Sequence, residues 1–248
     1  MEWTDDAIVL SSRPHGETSA ILETLTAAHG RHIGLVRGGA SSKRRAMMQP
    51  GNRVSLNWRA RVSENLGVFT VELTRERAHA LFESRAALHG VNALAAVASA
   101  VLPEREPHRP AFEGADVLVD AIAGHEFADW ASLFVHWEAG LLDELGFGLD
   151  FRTCAATGGT EDLIYVSPRT GRAVSEGAGA PYRDRLLVLP PFLLGRQEAA
   201  PSANDLLAGL TLTAHFLDHF VLAAHGKAIP EARRRLLDLA ARAANESL

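Results

Sequence analysis

Basic side chains are concentrated in one stretch near the start of the chain. No acidic residue occurs between Thr24 and Ser63, although 30 of the 248 residues are Asp or Glu. The same stretch contains eight basic residues, namely Arg31, Arg37, Lys43, Arg44, Arg45, Arg53, Arg59 and Arg61. Such a surface attracts polyanions, because each phosphate that a cationic side chain neutralises releases condensed counterions. We take the eight as candidate contacts to DNA phosphates; the alternative is a solvated face without a partner.

The formal net charge of −5 conceals an uneven distribution of charge along the chain. Residues 1 to 80 contain eleven Lys or Arg and eight Asp or Glu, whereas the remainder contains fourteen and twenty-two. The first part is therefore net positive and the second part net negative. This difference favours a nucleic-acid-binding segment followed by an acidic segment.

Two histidines with the spacing of metal ligands occur in the sequence His215-Phe216-Leu217-Asp218-His219. Residues four apart share a helix face, and such pairs bind zinc in metalloproteases, but the glutamate that follows the first histidine there is missing here. The helical pattern also turns the histidines away from the apolar stripe, which comprises Leu206, Leu210, Leu217, Val221 and Ala224. A metal-dependent hydrolase that uses His215, Asp218 and His219 stays as a minor alternative.

Other catalytic signals are weak or missing. The sequence has no GxSxG elbow, no phosphate loop and no convincing GxGxxG motif. His136, beside Trp137, is more typical of a core or boundary residue than of a ligand. The single cysteine, Cys154, excludes an internal disulfide and a thiolate-rich zinc site, and a small buried apolar role suits it. We therefore expect no catalytic residues, no cofactor, no metal and no enzymatic activity.

The first 75 residues have the short apolar runs and glycine or polar turns of β-strands. Five strands are predicted, over Ala7–Arg13, Ser19–Thr26, His32–Arg37, Arg53–Val62 and Gly67–Thr74. The fourth alternates most clearly, with Val54, Leu56, Trp58, Ala60 and Val62 on one face and three arginines on the other. Five short strands with a basic face are typical of an OB-fold barrel that binds single strands. Because Trp58 points inward and only Phe69 and Trp3 lie nearby, we expect electrostatics to dominate over base stacking.

Past about residue 78 the apolar period becomes that of helices. Helices are predicted over Ser84–Leu102, Phe112–Ala123, Asp129–Leu145, Ala203–Ala224 and Pro230–Ala244, with a proline-rich break at Pro103–Pro110. Between Asp150 and Pro191 the helical period is lost, and the runs Leu163–Ser167 and Gly171–Ser175 predict a hairpin. The predicted fold is α+β and multi-domain, with an OB-fold domain at residues 1–78 and an α-helical domain at 79–248 that contains an inserted hairpin region at about 150–191.

We expect no membrane-spanning segment. The N-terminus lacks the basic and apolar regions of a signal peptide, and the apolar stretch Ala86–Leu102 is interrupted by polar residues. We expect a cytoplasmic, nucleoid-associated protein.

The N-terminal segment resembles the RecO family. The matching residues are Val9-Leu10, Arg13, Gly16-Glu17, Leu25-Thr26, Gly30, the run from Val36 to Arg44, and Gln49-Pro50-Gly51. A second block, from Leu141 to Phe147 and on through Leu149-Asp150 to Cys154, is also similar to the family. The resemblance spans nearly the whole chain and is weakest after Pro191.

The resemblance implies an OB-fold followed by a helical domain without a catalytic site. It implies DNA repair and recombination in the RecF pathway, with binding of single- and double-stranded DNA and annealing of complementary strands. The implied partners are RecR, the C-terminal tail of single-strand-binding protein and, indirectly, RecA, which is loaded onto gapped DNA. An alternative function is a docking adaptor whose barrel mainly binds RecR, with DNA binding secondary.

One departure from the family concerns metal. Many RecO proteins carry four cysteines as a zinc knuckle, whereas here Cys154 stands alone and Thr157 occupies the position of its near partner. The segment Val174–Gly179 supplies no second pair. We therefore expect a knuckle-like hairpin without zinc ligands, held together by apolar packing.

Overall fold

The first 75 residues form a closed five-stranded barrel in the computed structural model, which describes residues 1–62, 65–195 and 200–246. The strands are β1 (Glu2–His15), β2 (Ser19–Thr26), β3 (Gly30–Val36), β4 (Arg53–Arg59) and β5 (Val68–Arg75), and a short helix, α1 (Ser42–Met47), lies between β3 and β4. The order around the barrel is β1-β2-β3-β5-β4, and only β3 and β5 run parallel. This is the Greek-key arrangement of an OB-fold, as predicted.

Alternation along β4 builds much of the barrel core. Val54, Leu56 and Trp58 are buried, whereas Arg59 is exposed and Arg53 is partly exposed. The predicted extension to Val62 is wrong, because pairing with β5 ends at Arg59 and Val68 and the chain then leaves the sheet. Val62 is accordingly 49% exposed.

Three helices follow the barrel and belong to the same compact unit, residues 1–125. They are α2 (Ala78–Glu83), α3 (Arg85–Val101) and α4 (Arg109–Gly124). The Ser84 side chain caps α3 by accepting a hydrogen bond from the backbone N–H of Ala87, and Pro110 lies in the first turn of α4. The buried face of α3 includes Val91, Ala95 and Ala98, and α3 packs on β1. The predicted helices Ser84–Leu102 and Phe112–Ala123 are thus confirmed, with small shifts at their ends.

Residues 126–248 form the second compact unit. Its helices are α5 (Phe127–Glu144), α6 (Glu176–Gly179), α7 (Ala203–Phe216, continued by a π-helical turn to Leu222) and α8 (Glu231–Glu246). The predicted hairpin is present as β6 (Leu163–Val166) and β7 (Ala173–Ser175), and the unpredicted β8 (Leu187–Val188) completes a three-stranded sheet in the order β7-β6-β8.

A helical stretch in the second unit, Ala203–His225, is long and apolar enough to cross a membrane by length and composition. Its most apolar window is 56% buried inside the protein, where α7 packs against α5 and α8. This packing accounts for its hydropathy. The apolar stripe predicted along this helix is buried at Leu206, Leu210, Leu217 and Val221. Ala224 is exposed, because the π-helical turn before it shifts the helical register.

Candidate nucleic-acid interface

A groove of about 910 Å³ opens on the barrel where β3 meets β5. These two strands share a single paired position, Leu35 with Val68, so backbone pairing closes the barrel over only a short length there. The basic lining consists of Arg37, Arg59 and Arg61. The apolar lining includes Leu35, Leu66 and Val68. The groove is therefore lined by three arginines and by apolar side chains, together with the carboxylate of Glu2.

A second cavity, of about 310 Å³, adjoins the groove and lies between α1 and β5. Arg37 lines both cavities, as do Val68 and Thr70, and Arg44 of α1 lines the second. Arg44, Arg37 and Arg61 thus follow one another along two adjoining depressions. A chain of phosphates could lie along this path.

The turn between β3 and α1 sets the position of Arg44. Gly38 has a φ of +67°, a conformation that suits glycine, and a Cβ atom added there would lie 3.0 Å from Arg44 Nη1. The Arg44 guanidinium therefore lies against Gly38, which has no side chain to displace it. The α1 helix buries none of its residues, so Lys43 and Arg45 also reach solvent.

Six of the eight predicted basic residues are exposed, and one of them, Arg59, pairs with Glu2. The other five are Arg37, Lys43, Arg44, Arg45 and Arg61, and we call them the free cationic set. Within residues 1–62, 65–195 and 200–246, none of the five forms an ion pair with a carboxylate. Their charges are therefore available to a ligand.

The other three predicted residues form ion pairs inside the first unit. Arg31 pairs with Glu23 at 2.8 Å and donates from Nε to the Leu102 carbonyl oxygen at 2.9 Å. Arg59 pairs with Glu2 at 2.7 Å on the surface, where its side chain is 73% exposed. Hydrogen bonds from Arg59 and Asn57 lower the pKa of Glu2 below its usual value. Because exposed pairs contribute little, a phosphate could replace Glu2 on Arg59.

Arg53 belongs to an ion network that ties the barrel to α4. It contacts Asp6 at 2.8 Å and Asp116 at 2.6 Å, and these carboxylates raise its pKa, with the hydrogen bond to Asp6 as the larger cause. The buried Arg77 joins the network through Asp116 and Asp120, each at 2.7 Å. The network gives Arg53 a structural role in the first unit.

Sequence reasoning missed a basic position on the β1–β2 hairpin. The end of this hairpin, residues 11–18, is exposed and carries Arg13 and His15. The backbone N–H of Ala40 donates to the Thr18 carbonyl oxygen at 3.1 Å, which holds the hairpin against the turn before α1. Arg13 was not among the predicted contacts because it lies outside the acid-free stretch, and it lines neither of the two cavities.

Aromatic rings near the grooves are mostly buried. Trp58 and Phe69 point into the barrel, and Trp3 stacks on His29 with ring centroids 4.0 Å apart. His32 lies beneath the same cluster, where burial, with smaller effects from Arg105 and His29, lowers its pKa to about 4. The inward position predicted for Trp58 is confirmed. Because few rings are exposed for bases to stack on, electrostatic attraction would be the main contribution to binding a nucleic acid.

The histidine pair of the second unit makes internal contacts. His215 stacks on His219 with centroids 4.3 Å apart, and His215 Nε2 lies 3.0 Å from the Pro168 carbonyl oxygen. His219 Nδ1 lies 3.0 Å from the His215 carbonyl oxygen. Across the part of the chain that the structure describes, no three His, Cys, Asp or Glu side chains are grouped as metal ligands.

The hairpin region does not fit a zinc ion. The Cys154 sulfur is buried and accepts hydrogen bonds from the Ser175 N–H at 3.3 Å and the Ser175 hydroxyl at 3.4 Å. Burial raises the pKa of the Cys154 thiol, but hydrogen bonds from Ser175 and Thr157 outweigh it and lower the pKa to about 6. One thiol and two hydroxyls are not the Cys and His set that structural zinc requires.

Comparison with known proteins assigns the family. The model "Recombination protein O N terminal" matches residues 1–77, and "Recombination protein O C terminal" matches residues 83–229. The chain is 53% identical over 240 residues to the DNA repair protein RecO of Rhodospirillum centenum, and the matched region covers 96% of this chain and 94% of that protein. It is 54% identical over 238 residues to the DNA repair protein RecO of Phenylobacterium zucineum, with 96% and 97% covered. The chain therefore belongs to the RecO family.

Proposed function

We propose that this protein acts in DNA repair and recombination by binding single- and double-stranded DNA on its barrel. The observation that carries the proposal is the free cationic set, of which Arg37, Arg44 and Arg61 line the two adjoining cavities while Lys43 and Arg45 are exposed on α1 beside them. Phosphate contacts do not depend on base sequence, and buried aromatic rings leave little surface for stacking. Binding is accordingly expected to show little sequence preference.

Annealing follows from the same electrostatics. Two single strands repel each other through their phosphates, and a surface that neutralises both lowers this repulsion. The bases stay free to pair, because the cations contact phosphates and no base reader is needed. No catalytic group is required, and the proposal is therefore of a protein that is not an enzyme.

The proposal extends to the partners of the family. The protein would act with RecR, contact the C-terminal tail of single-strand-binding protein, and help RecA replace that protein on gapped DNA. It would act in the cytoplasm, at the nucleoid. The names of its relatives support the role in DNA repair, and the partners and the location are what membership of the family implies.

The first test measures single-stranded DNA binding by fluorescence anisotropy across a salt series. If all five residues of the free cationic set contact phosphates, log K falls with log salt with a slope of about −3.5, at about 0.7 for each contact. Changing Lys43, Arg44 and Arg45 together to Gln is expected to flatten the slope by about 2.

The matched control changes Arg169, Arg183 and Arg185 to Gln, three exposed arginines of the second unit. This variant alters the net charge equally but leaves the barrel unchanged, so its slope should equal that of the wild type. The proposal is wrong if the wild type binds without salt dependence, or if both triple variants lose affinity alike.

A second candidate function is a docking adaptor whose barrel mainly binds RecR. The apolar side chains that line the larger groove favour this function, since Met1 is 71% exposed and Leu66 is 42% exposed. Exposed apolar surface of this kind is more typical of protein contacts than of phosphate contacts. Charge reversal at Arg37 and Arg61 separates the two functions: loss of RecR binding with unchanged DNA affinity favours the adaptor.

A further inference from the structure

One wall of the larger groove is held by three donors that come from three different segments. The wall consists of residues 65–67, whose consecutive carbonyl oxygens all accept hydrogen bonds. Arg105 Nη2 donates to Asn65 at 3.1 Å, Trp58 Nε1 to Leu66 at 3.3 Å, and the Leu35 N–H to Gly67 at 3.1 Å. Two of these donors are strand residues of the barrel, whereas Arg105 lies beyond it, between α3 and α4.

The segment that carries Arg105 is fixed against the barrel. The N–H of Arg105 donates to the Arg31 carbonyl oxygen at 2.8 Å, and Arg31 Nε donates to the Leu102 carbonyl oxygen at 2.9 Å. The chain passes so close to β3 that a Cβ atom on Gly30 would lie 1.9 Å from the Glu106 carbonyl oxygen. Arg31 therefore holds the segment from which Arg105 reaches the groove wall.

The backbone of Arg105 adopts an uncommon conformation. Its φ is +66°, in the left-handed region that residues other than glycine rarely occupy. Such strain persists where surrounding contacts over-determine it, and it is concentrated at functional sites. Here the strained residue directs its N–H to β3 and its guanidinium to the β4–β5 connection at Asn65.

We infer that Arg105 is a positioning residue for the groove wall, so that DNA binding by the barrel depends on a side chain outside it. The inference rests on the proposed function. Arg105 acts through Asn65 rather than through a phosphate, because its guanidinium is engaged by the Asn65 carbonyl and by Glu104, which lies 3.4 Å from Nε. Losing Arg105 releases one of the three bonds that define the wall.

The test uses the full chain with Arg105→Gln, compared with Arg61→Gln and with Arg109→Gln as the matched control. Arg109 is an exposed arginine of α4 that pairs with Glu113 and does not line the groove. If the wall is correctly placed only a fifth of the time in Arg105→Gln, the apparent Kd for single-stranded DNA rises about fivefold. The salt slope stays that of the wild type, whereas Arg61→Gln flattens it by about 0.7.

A second measurement is independent of DNA. Hydrogen exchange should become faster in Arg105→Gln, and stay unchanged in Arg109→Gln, at the Leu35 amide, which donates to the Gly67 carbonyl oxygen, and at the Asn65 amide, which donates to the Val62 carbonyl oxygen at 3.2 Å. Faster exchange throughout the barrel would indicate global destabilisation and would overturn a positioning role.

The outcomes separate the inference from the function on which it rests. Wild-type binding without salt dependence overturns the proposed function. Salt-dependent wild-type binding with an unchanged Kd or unchanged exchange in Arg105→Gln overturns the inference alone. A salt slope that flattens as much in Arg105→Gln as in Arg61→Gln shows that Arg105 contacts phosphate directly, which also overturns it.

Discussion

Single residues decide which charges the barrel presents. Arg44 and Arg53 belong to the same acid-free stretch, yet Arg44 is exposed, whereas Arg53 contacts Asp6 and Asp116. A charge held between two carboxylates attracts phosphate weakly, because the acids already neutralise it. The difference lies in the surroundings of each guanidinium and not in its residue type.

We expect His32 to make the stability of the barrel depend on pH. Its side chain is buried, and its pKa falls from the ordinary 6.5 to about 4, with burial as the largest cause. The unfolded chain therefore binds a proton between these values and the folded chain does not, so stability decreases as the pH falls below 6.5. The loss is at most about 1.4 kcal/mol for each pH unit down to 4.

Thermal unfolding at pH 7 and at pH 5 measures this effect. The His32→Phe variant has no ionisable group at this position, so its melting temperature should fall less between the two pH values than that of the wild type. An equal fall in both proteins would show that His32 does not cause the pH dependence.

At the scale of elements, the hairpin of the second unit depends on packing and hydrogen bonds. Leu163, Val166 and Ala173 are buried within it, and Ser175 donates to the Cys154 sulfur. We expect no stoichiometric zinc in the purified protein and no change in melting temperature with a chelator. Stoichiometric zinc found by elemental analysis would contradict this prediction.

The variant Cys154→Ala is expected to lower the free energy of unfolding by about 1–3 kcal/mol, because it leaves the donors of Ser175 unpaired. Urea denaturation measures this loss.

Strands and helices were predicted correctly where the pattern of neighbouring residues alone determines them. Ser19–Thr26 coincides with β2, and the alternation of β4 correctly places Val54 and Trp58 inside. The helix α1 and the strand β8 were not predicted, because six and two residues are too short to show a period. The start of β1 at Glu2 was missed as well, since residues 2–6 are polar except for Trp3 and their strand conformation depends on pairing with β4.

At the scale of the whole molecule, the proposed function includes the annealing of two strands on the basic barrel. Annealing requires that two strands be neutralised together, so its rate should fall more steeply with salt than the binding of one strand does. A fluorescence-quenching assay with complementary strands over the same salt series measures this. Equal salt exponents for binding and annealing would indicate that only one strand is held.

The sequence by itself determined the classes of structure and the candidate charges. Alternation and helical period depend on neighbours within a few residues, so they indicate a small barrel and a helical remainder, and the stretch without acidic residues indicates eight basic residues. Only the tertiary structure decided which of these charges are available. The carboxylates that neutralise Arg31, Arg53 and Arg59 all lie outside the acid-free stretch, and Asp116 is brought to Arg53 only by the packing of α4 on the barrel. Electrostatic pairing depends on distance in space, which the order of residues along the chain does not specify.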